Sequence, residues 1–345
     1  MDVIFSDTHH QHDLEIEMLT EGPVPCFERA ARVDNVIQAI DARRFGNLRP
    51  PTSHGLEPLG RIHNQDYLSF LATAWDDWHA RYPKLDSTGL YCFPSRDPTA
   101  RVPEHIAARL GYYSFDLSAA LTAGSWRAIQ DSADIALTGV DRILGGDKSV
   151  FSLCRPPGHH ASADKMGGYC YINNAAVAAQ AFLDAGKSRV AIIDVDYHHG
   201  NGTQEIFYDR SDVYYMSIHG HPDEEYPHYW GWADETGRGE GEGYNLNCPL
   251  PLHQTDWTLY QRAFDQCLEA LNNFSADVLI VSLGLDTYEN DPMCEFKLRQ
   301  SDYTEMGRNI AASFTGPVHF VFEGGYCIED LGDNTLSVLS GFESV

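Results

Sequence analysis

Asp194, Asp196, His198 and His199 crowd into IIDVDYHHGNG, residues 192–202, directly after the apolar run Val190-Ala191-Ile192-Ile193. A buried strand that ends in two carboxylates and two imidazoles carries a desolvation cost, which a divalent cation converts into binding. Asp196 and His198 are two residues apart and so share one side of an extended segment. Asp286, in LGLDTYENDP after a second apolar run, adds another carboxylate. Two carboxylates and one imidazole leave a coordination position open, the pattern of a catalytic rather than a structural Zn²⁺ site. Fe²⁺ or Co²⁺ would also suit this donor set. Taken alone, the DxDxHH stretch also admits loop caps and core histidines as the less favoured reading, and the second carboxylate source favours the cation further.

Two further groups complete a hydrolytic set. RPPGHH places His159 and His160 after a stiff Pro-Pro-Gly turn, and histidine can take a proton from a water activated by a metal and return it to a leaving amine. Asp194 lies on the same strand face as Asp196, placed to support a histidine of that turn by fixing its tautomer. In EGGY, two glycines before Tyr326 let the backbone bend so that the phenol can donate to a carbonyl oxygen opposite the metal.

These groups need a frame. SVFSLC, RVAIIDV, ADVLIVSLG and PVHFVFE are short, unbroken apolar runs, and each leads into one of the polar motifs. VYYMSIH is a fifth such run. Helical periodicity separates them, in FERAARVDNVIQAID, DYLSFLATAWDDW, SWRAIQDSADIALTGVDRIL, NNAAVAAQAFLDAG, DWTLYQRAFDQCLEAL and SDYTEMGRNIAASF. Asn173 or Asn174, Asp256 and Ser301 are placed to cap the last helices, and Gly186 to stop one. Unbroken strands alternating with helices predict a single α/β domain over 1–345, three layers α/β/α around a mostly parallel sheet. Ligands of such sheets sit outside the strands' carboxyl ends, so four strand ends aim at one crevice. Residues 1–120 carry Pro- and Gly-containing loops (EGPVPCFE, LRPPTSHGLEP, CFPSRDPTARVPE) expected to form a rim around it.

Composition narrows the partners. With 24 Lys+Arg against 50 Asp+Glu the formal net charge is −26, which repels nucleic acid and anionic lipid and suits a small cationic ligand. Eight dispersed cysteines with no CxxC pair read as reduced thiols. The start MDVIFSDTHHQHD lacks the layout of a secretory leader, and no stretch approaches a membrane span, so a cytoplasmic location is expected.

RPPGHH, DVDYHHGNG, LGLDT and EGGY, in this order, resemble the histone deacetylase superfamily over roughly residues 55–335. EIEMLTEGPVPCFERAARVDNV, GYYSFDLSAALTAGSW and EEYPHYWGWADETGRGEGEGYN are similar to its bacterial acetylpolyamine amidohydrolase branch. The resemblance implies an arginase/deacetylase-like fold with an N-terminal loop/helix insertion, residues 13–50, at a homodimer interface and the active-site rim. It implies Zn²⁺ on Asp196, His198 and Asp286, His160 as general base and acid paired with Asn201, and His159 backed by Asp194 as its electrostatic partner. Tyr326 would polarise the acetyl carbonyl, Tyr169 and Tyr226 would wall the tunnel, and the Gly168 carbonyl would accept the substrate amide. Structural K⁺ or Na⁺ would sit on Asp194, Asp196, His198, Ser217 and Ile218, and on Phe207, Arg210, Val213 and Tyr244. Where that branch carries an acidic residue after GYY to read a distal ammonium, this chain has Ser118, with Asp116 or Glu104 as substitutes.

The implied reaction is zinc-dependent hydrolysis of small N-acetylated polyamines or diamines, such as acetylputrescine or acetylcadaverine, to acetate and free amine. An acetyl-lysine deacetylase of proteins or peptides is the nearest alternative, and an acidic rim suits basic tails too. A non-catalytic binder of acetylated amines would not need His159, His160 and Tyr326. An arginase-like binuclear Mn²⁺ site is suggested by DTYENDP but lacks GGDHS and DAHxD patterns.

Overall fold

The four apolar runs that end in ionisable residues prove to be neighbours in one sheet. A computed structural model describes residues 1–19, 22–90, 92–94 and 101–345. Residues 20, 21, 91 and 95–100, in or next to the expected rim loops, lie outside the described residues. The strands are β1 (Asp2–Ile4), β2 (Ile16–Leu19), β3 (Gly22–Pro25), β4 (Asn47–Arg49), β5 (Ser149–Ser152), β6 (Val190–Asp194), β7 (Val213–Gly220), β8 (Asn245–Leu250), β9 (Val278–Leu283) and β10 (Val318–Phe322). The helices are α1 (Ala31–Arg43), α2 (Gln65–Arg81), α3 (Ile106–Tyr112), α4 (Ser125–Leu144), α5 (Asn174–Asp184), α6 (Asn201–Phe207), α7 (Trp257–Phe274), α8 (Gln300–Ser313) and α9 (Ile328–Glu343).

The main sheet has eight strands in the order β4-β1-β5-β10-β9-β6-β7-β8, and every pairing in it is parallel. β5, β10, β9 and β6 are consecutive at its centre, so their carboxyl ends adjoin. Strand alternation sorts the layers. Ala191, Ile193, Leu279, Val281 and Leu283 join the cluster formed with α1, α7, α8 and α9. Val190, Ile192, Val278 and Ile280 join the opposite cluster with α4, α5 and α6. Each such side chain, fully withdrawn from water, contributes about 1.5–3 kcal/mol. A third cluster of α2, α3, α4 and the 166–177 segment supports the wall beside the site.

Asn173 and Asp256 cap α5 and α7, accepting from Ala176 N–H and Leu259 N–H. Ser301 does not open α8: Arg299 is the cap, and the Asp302 carboxylate reaches back to its N–H at 2.8 Å. The first fifty residues are more than rim. β1 and β4 extend the sheet, and Val33, Val36 and Ile40 of α1 are buried against it. What remains at the rim of the 13–50 segment is the antiparallel β2–β3 hairpin, where Glu17 is turned inward and Met18 stands half exposed. Among the described residues, no helix is long and apolar enough to cross a membrane.

Candidate metal centre and catalytic cavity

β6 ends at Asp194, and the next four residues carry the site. The chain keeps alternating sides there: Val195 and Tyr197 pack into the α1/α7/α8/α9 cluster, while Asp194 and Asp196 turn to the polar crevice. Asp196 and Asp286 are buried, and backbone donors orient both. Asp196 Oδ1 accepts from His198 N–H (2.9 Å) and Oδ2 from Gly324 N–H (2.8 Å), while Asp286 Oδ1 accepts from Tyr197 N–H (2.7 Å). His198 Nδ1 faces both carboxylates, 3.0 Å from Asp286 Oδ2 and 3.4 Å from Asp196 Oδ1. One ligand atom from each of Asp196, His198 and Asp286 lies within 4.8 Å of the others. Gly324 is required by this approach, since a Cβ there would stand 2.6 Å from Asp196 Oδ2 and 2.7 Å from Asp286 Oδ2.

The electrostatics show that the donor set fits a cation. Burial, and then the Asp196 charge, push the Asp286 carboxyl up to about 8, while Asp196 is held well below the usual carboxylate range. Burial opposes protonation of His198, yet hydrogen bonding to Asp196 and Asp286 raises it well above its ordinary value. Two buried carboxylates thus hold protons on the imidazoles beside them, positive charge that a bound cation would supply instead. Hard oxygens and one imidazole suit a divalent ion of the Zn²⁺, Fe²⁺ or Co²⁺ kind.

The tandem histidines are set apart by their partners. His159 Nδ1 donates to Asp194 Oδ2 at 3.0 Å, and Tyr215 O–H donates to the same oxygen. Burial opposes its charge, but Asp196 and Asp194 overcome this and raise His159 to about 10. His160 Nδ1 lies 2.8 Å from Asn201 Oδ1, an oxygen that can only accept, so Nδ1 carries the proton and Nε2 is left as the lone pair. Burial, then the neighbouring His159 and His198, hold His160 well below its ordinary value. Asn201 takes this place as the first residue of α6.

Tyr326 is also buried. Asp291 Oδ2 accepts from Tyr326 N–H (2.6 Å) and Cys327 N–H (2.9 Å), and the Arg32 guanidinium lies 4.9 Å from the Tyr326 ring centre. Neither support was foreseen. Asp291 belongs to DTYENDP, where the sequence suggests a metal carboxylate rather than a backbone clamp, and Arg32 is a charged residue on the otherwise apolar face of α1. Arg32 also donates to the Glu323 and Gly325 carbonyls on either side of Gly324, and pairs with Glu28 at 2.8 Å. Glu323, unread in EGGY, accepts through Oε2 from the N–H groups of Gly158 (2.7 Å) and His159 (3.1 Å), tying the histidine turn to β10.

His160, His198, Gly168, Tyr169, Tyr226 and Tyr326 all line one cavity of about 590 Å³. Its outer wall carries Glu17, Met18, Phe93, Asp116, Leu117, Ser118, Glu225, His228 and Met293. Gly168 and Tyr169 have φ +53° and +64°, a left-handed pair that only glycine adopts without cost at its first position. Asp116 is committed to structure: its Oδ2 accepts from Gly168 N–H (2.9 Å) and Tyr226 O–H (2.6 Å), and Ser118 O–H donates to Oδ1 at 2.9 Å. Glu104 is exposed and absent from the cavity lining. The acid missed from sequence is Glu17, on β2, whose Oε2 accepts from Tyr169 O–H at 2.6 Å. Its only signal was an acidic residue in a short run, EIEML, that alternates with apolar ones.

The expected monovalent-cation residues fall in two places. Asp194, Asp196, His198, Ser217 and Ile218 lie at the adjoining ends of β6 and β7, where Asp194 pairs with Ser217. Phe207 ends α6, Val213 opens β7 and Tyr244 precedes β8; the Phe207 carbonyl accepts from Arg210 N–H.

Residues 26–342 match the Histone deacetylase domain family. Acetylpolyamine amidohydrolase 2 of Pseudomonas aeruginosa is 49% identical over 342 residues, 99% of this chain and 98% of that one. Acetylpolyamine amidohydrolase of Mycoplana ramosa is 44% identical over 341 residues, 99% of each chain. A crystal structure of acetylpolyamine aminohydrolase from Burkholderia pseudomallei superposes with a TM-score of 0.94 at 36% identity, covering 100% of this chain and 99% of that one.

Proposed function

Because this chain belongs to the histone deacetylase family and is a hydrolytic deacetylase, we propose that it removes acetyl groups from small N-acetylated polyamines or diamines. The observation that carries this reading is that the Asp196–His198–Asp286 cluster reaches, through His198, the cavity that His160 and Tyr326 also line, whose outer wall is acidic and aromatic.

Zn²⁺, or Fe²⁺ or Co²⁺, held by Asp196, His198 and Asp286 would supply Lewis acidity to a water and to the acetyl oxygen. His160 takes the water's proton at Nε2, the nitrogen that its Nδ1–H bond to Asn201 leaves free. His160 then returns that proton to the departing nitrogen. His159, charged through Asp194, stays a fixed positive neighbour that keeps His160 from holding the proton too tightly. Tyr326 donates its O–H to the developing oxyanion. The Gly168 carbonyl accepts the substrate amide N–H, and Tyr169 and Tyr226 flank the alkyl chain.

Glu17 and Glu225, both on the wall, offer carboxylate oxygens to the distal ammonium, Glu17 while also accepting from Tyr169 O–H and Phe27 N–H, and Asp116 holds the tyrosine walls in place. K⁺ or Na⁺ would support the strand ends from behind. Ile16 and Met18 on the hairpin, with Phe93 and Leu117, are exposed apolar side chains, three of them at the cavity mouth. A second copy covering them would complete a homodimer that narrows the entrance. Eight free thiols accord with a cytoplasmic enzyme.

The test is acetate release by metal-loaded protein from acetylputrescine, acetylcadaverine, longer acetylpolyamines and an acetyl-lysine peptide. The small amines are expected to be turned over with the highest kcat/KM. Preference for the peptide would replace this reading with a protein deacetylase, and metal uptake without turnover of any substrate would leave only a binder.

A further inference from the structure

A second cluster of metal-ligand type lies outside the cavity, where the N-terminal 3₁₀ turn Asp7–Gln11 meets α1. We propose that His9, His10 and Asp34 form a second divalent-metal site, separate from the catalytic one and built for a borderline cation such as Zn²⁺, Ni²⁺ or Co²⁺. One ligand atom from each lies within 4.8 Å of the others. The imidazoles of His9 and His10 lie with centres 3.9 Å apart and planes tilted by 36°, and both Nε2 atoms face Asp34 Oδ1, at 3.7 and 2.9 Å.

Two observations separate this group from a surface ion pair. His9 is only 3% exposed, yet among the described residues neither of its ring nitrogens has a hydrogen-bond partner. A buried imidazole with both nitrogens unbonded forfeits the hydrogen bonds it had in water, a loss of a kind that folded proteins rarely tolerate. A cation beside Nε2 removes it. His10 Nδ1 lies 3.2 Å from the Asp7 carbonyl and donates to it. Ligating histidines are oriented in this way, with the far nitrogen donating and Nε2 presented as a lone pair. The Nε2 of His10 therefore meets the Asp34 carboxylate across a gap that a proton or a metal ion must fill.

The surroundings permit a metal. His10 and Asp34 are 51% and 42% exposed, leaving room for water ligands on the open side, while His9 closes the inner side. The positive charge of Arg155, which donates to the His9 carbonyl, is matched by Glu28 at 2.8 Å. Bound metal would clip the N-terminal turn to α1. The site is independent of the acyl chemistry.

Metal content after dialysis against micromolar free Zn²⁺ tests the proposal, read on full-length wild type, His10→Ala, Asp34→Asn and Asp286→Asn. The expected content is two ions per chain in wild type and one in each variant. His10→Ala and Asp34→Asn should keep wild-type deacetylase turnover, because the ion they lose is not the catalytic one. Added Zn²⁺ should raise the Tm of Asp286→Asn, and should not raise it when His10→Ala is combined with that change. One ion per chain in wild type, or an undiminished second ion in His10→Ala, overturns the proposal.

Discussion

Two buried clusters of charge lie on either side of β10, and they resolve the cost of burial in opposite ways. In the first, Glu28 sits between Arg32 and Arg155, 2.8 Å from each, with all three side chains essentially excluded from solvent. Their remaining donors go to carbonyls of His9, Glu28, Glu323 and Gly325. Positive charge is supplied from within the chain. In the second, Asp196 and Asp286 face His198 with no guanidinium or ammonium among their partners in the described residues. A protein that meets one buried carboxylate with two guanidiniums and leaves the other pair to imidazoles has traded stability for a binding site at the second.

The sharpest way to break that comparison is to remove one member of each cluster. Asp286→Asn keeps an acceptor for Tyr197 N–H but gives up an anionic ligand. Turnover should fall to background with loss of the tightly bound metal, yet the metal-free variant should unfold no more easily than metal-free wild type, because a repulsion has been relieved. Glu28→Gln should do the reverse. It leaves two guanidiniums buried without their anion and should lower the unfolding free energy by about 3–5 kcal/mol. Denaturant unfolding of both proteins without metal decides the matter, and equal losses would mean the two clusters are not different in kind.

Tyr326→Phe sharpens it at the point where the clusters meet. The ring would keep its place over Arg32 and its backbone bonds to Asp291, since neither uses the hydroxyl. Metal content and stability should stay as in wild type, while kcat drops about 10²–10³-fold, the loss typical of one oxyanion donor. Loss of metal in this variant would show that the hydroxyl serves the cation rather than the substrate.

How much of this was written in the sequence follows the same division. β5, β6, β9 and β10 were legible because strands buried on both faces are unbroken apolar runs, and their ends stand out where charge begins. With them came Asp196, His198, Asp286, His160 and Tyr326. β1 and β4 were not legible: three residues each, DVI and NLR, are too short for a period, and pairing to neighbours defines them. α9 hid because Gly332, Asn334 and Gly341 are poor helix formers, overruled by packing on α8 and α1. Glu17, Glu28 and Arg32 were invisible for another reason. Apart from the Glu28–Arg32 pair, four residues apart, their partners lie up to 293 residues away, and no local pattern encodes such a contact.

The smallest expected effect comes from a third arrangement of charge, at the surface. His54 bridges Asp134 and Asp141, with Nε2 2.9 Å from Asp141 Oδ2 and Nδ1 3.4 Å from Asp134 Oδ1. Hydrogen bonding to Asp134 raises His54 to about 9, against partial burial and with help from Asp141. A folded-state value above the ordinary one near 6.5 means that this bridge stabilises fully below pH 6.5. The contribution fades as pH rises through 9, where the folded imidazole loses its proton. Asp141 is 60% exposed, so water screens the pair and the contribution is about 1 kcal/mol rather than the full shift. Replacing His54 with Gln should therefore lower stability by about 1 kcal/mol at pH 6 and by almost nothing at pH 10. Because the carboxylates here are satisfied by one histidine and solvent, the variant should keep its metal and its turnover at both pH values. A loss of stability that did not change between the two pH values would show packing, not charge, at this bridge, and would remove the surface case from the comparison.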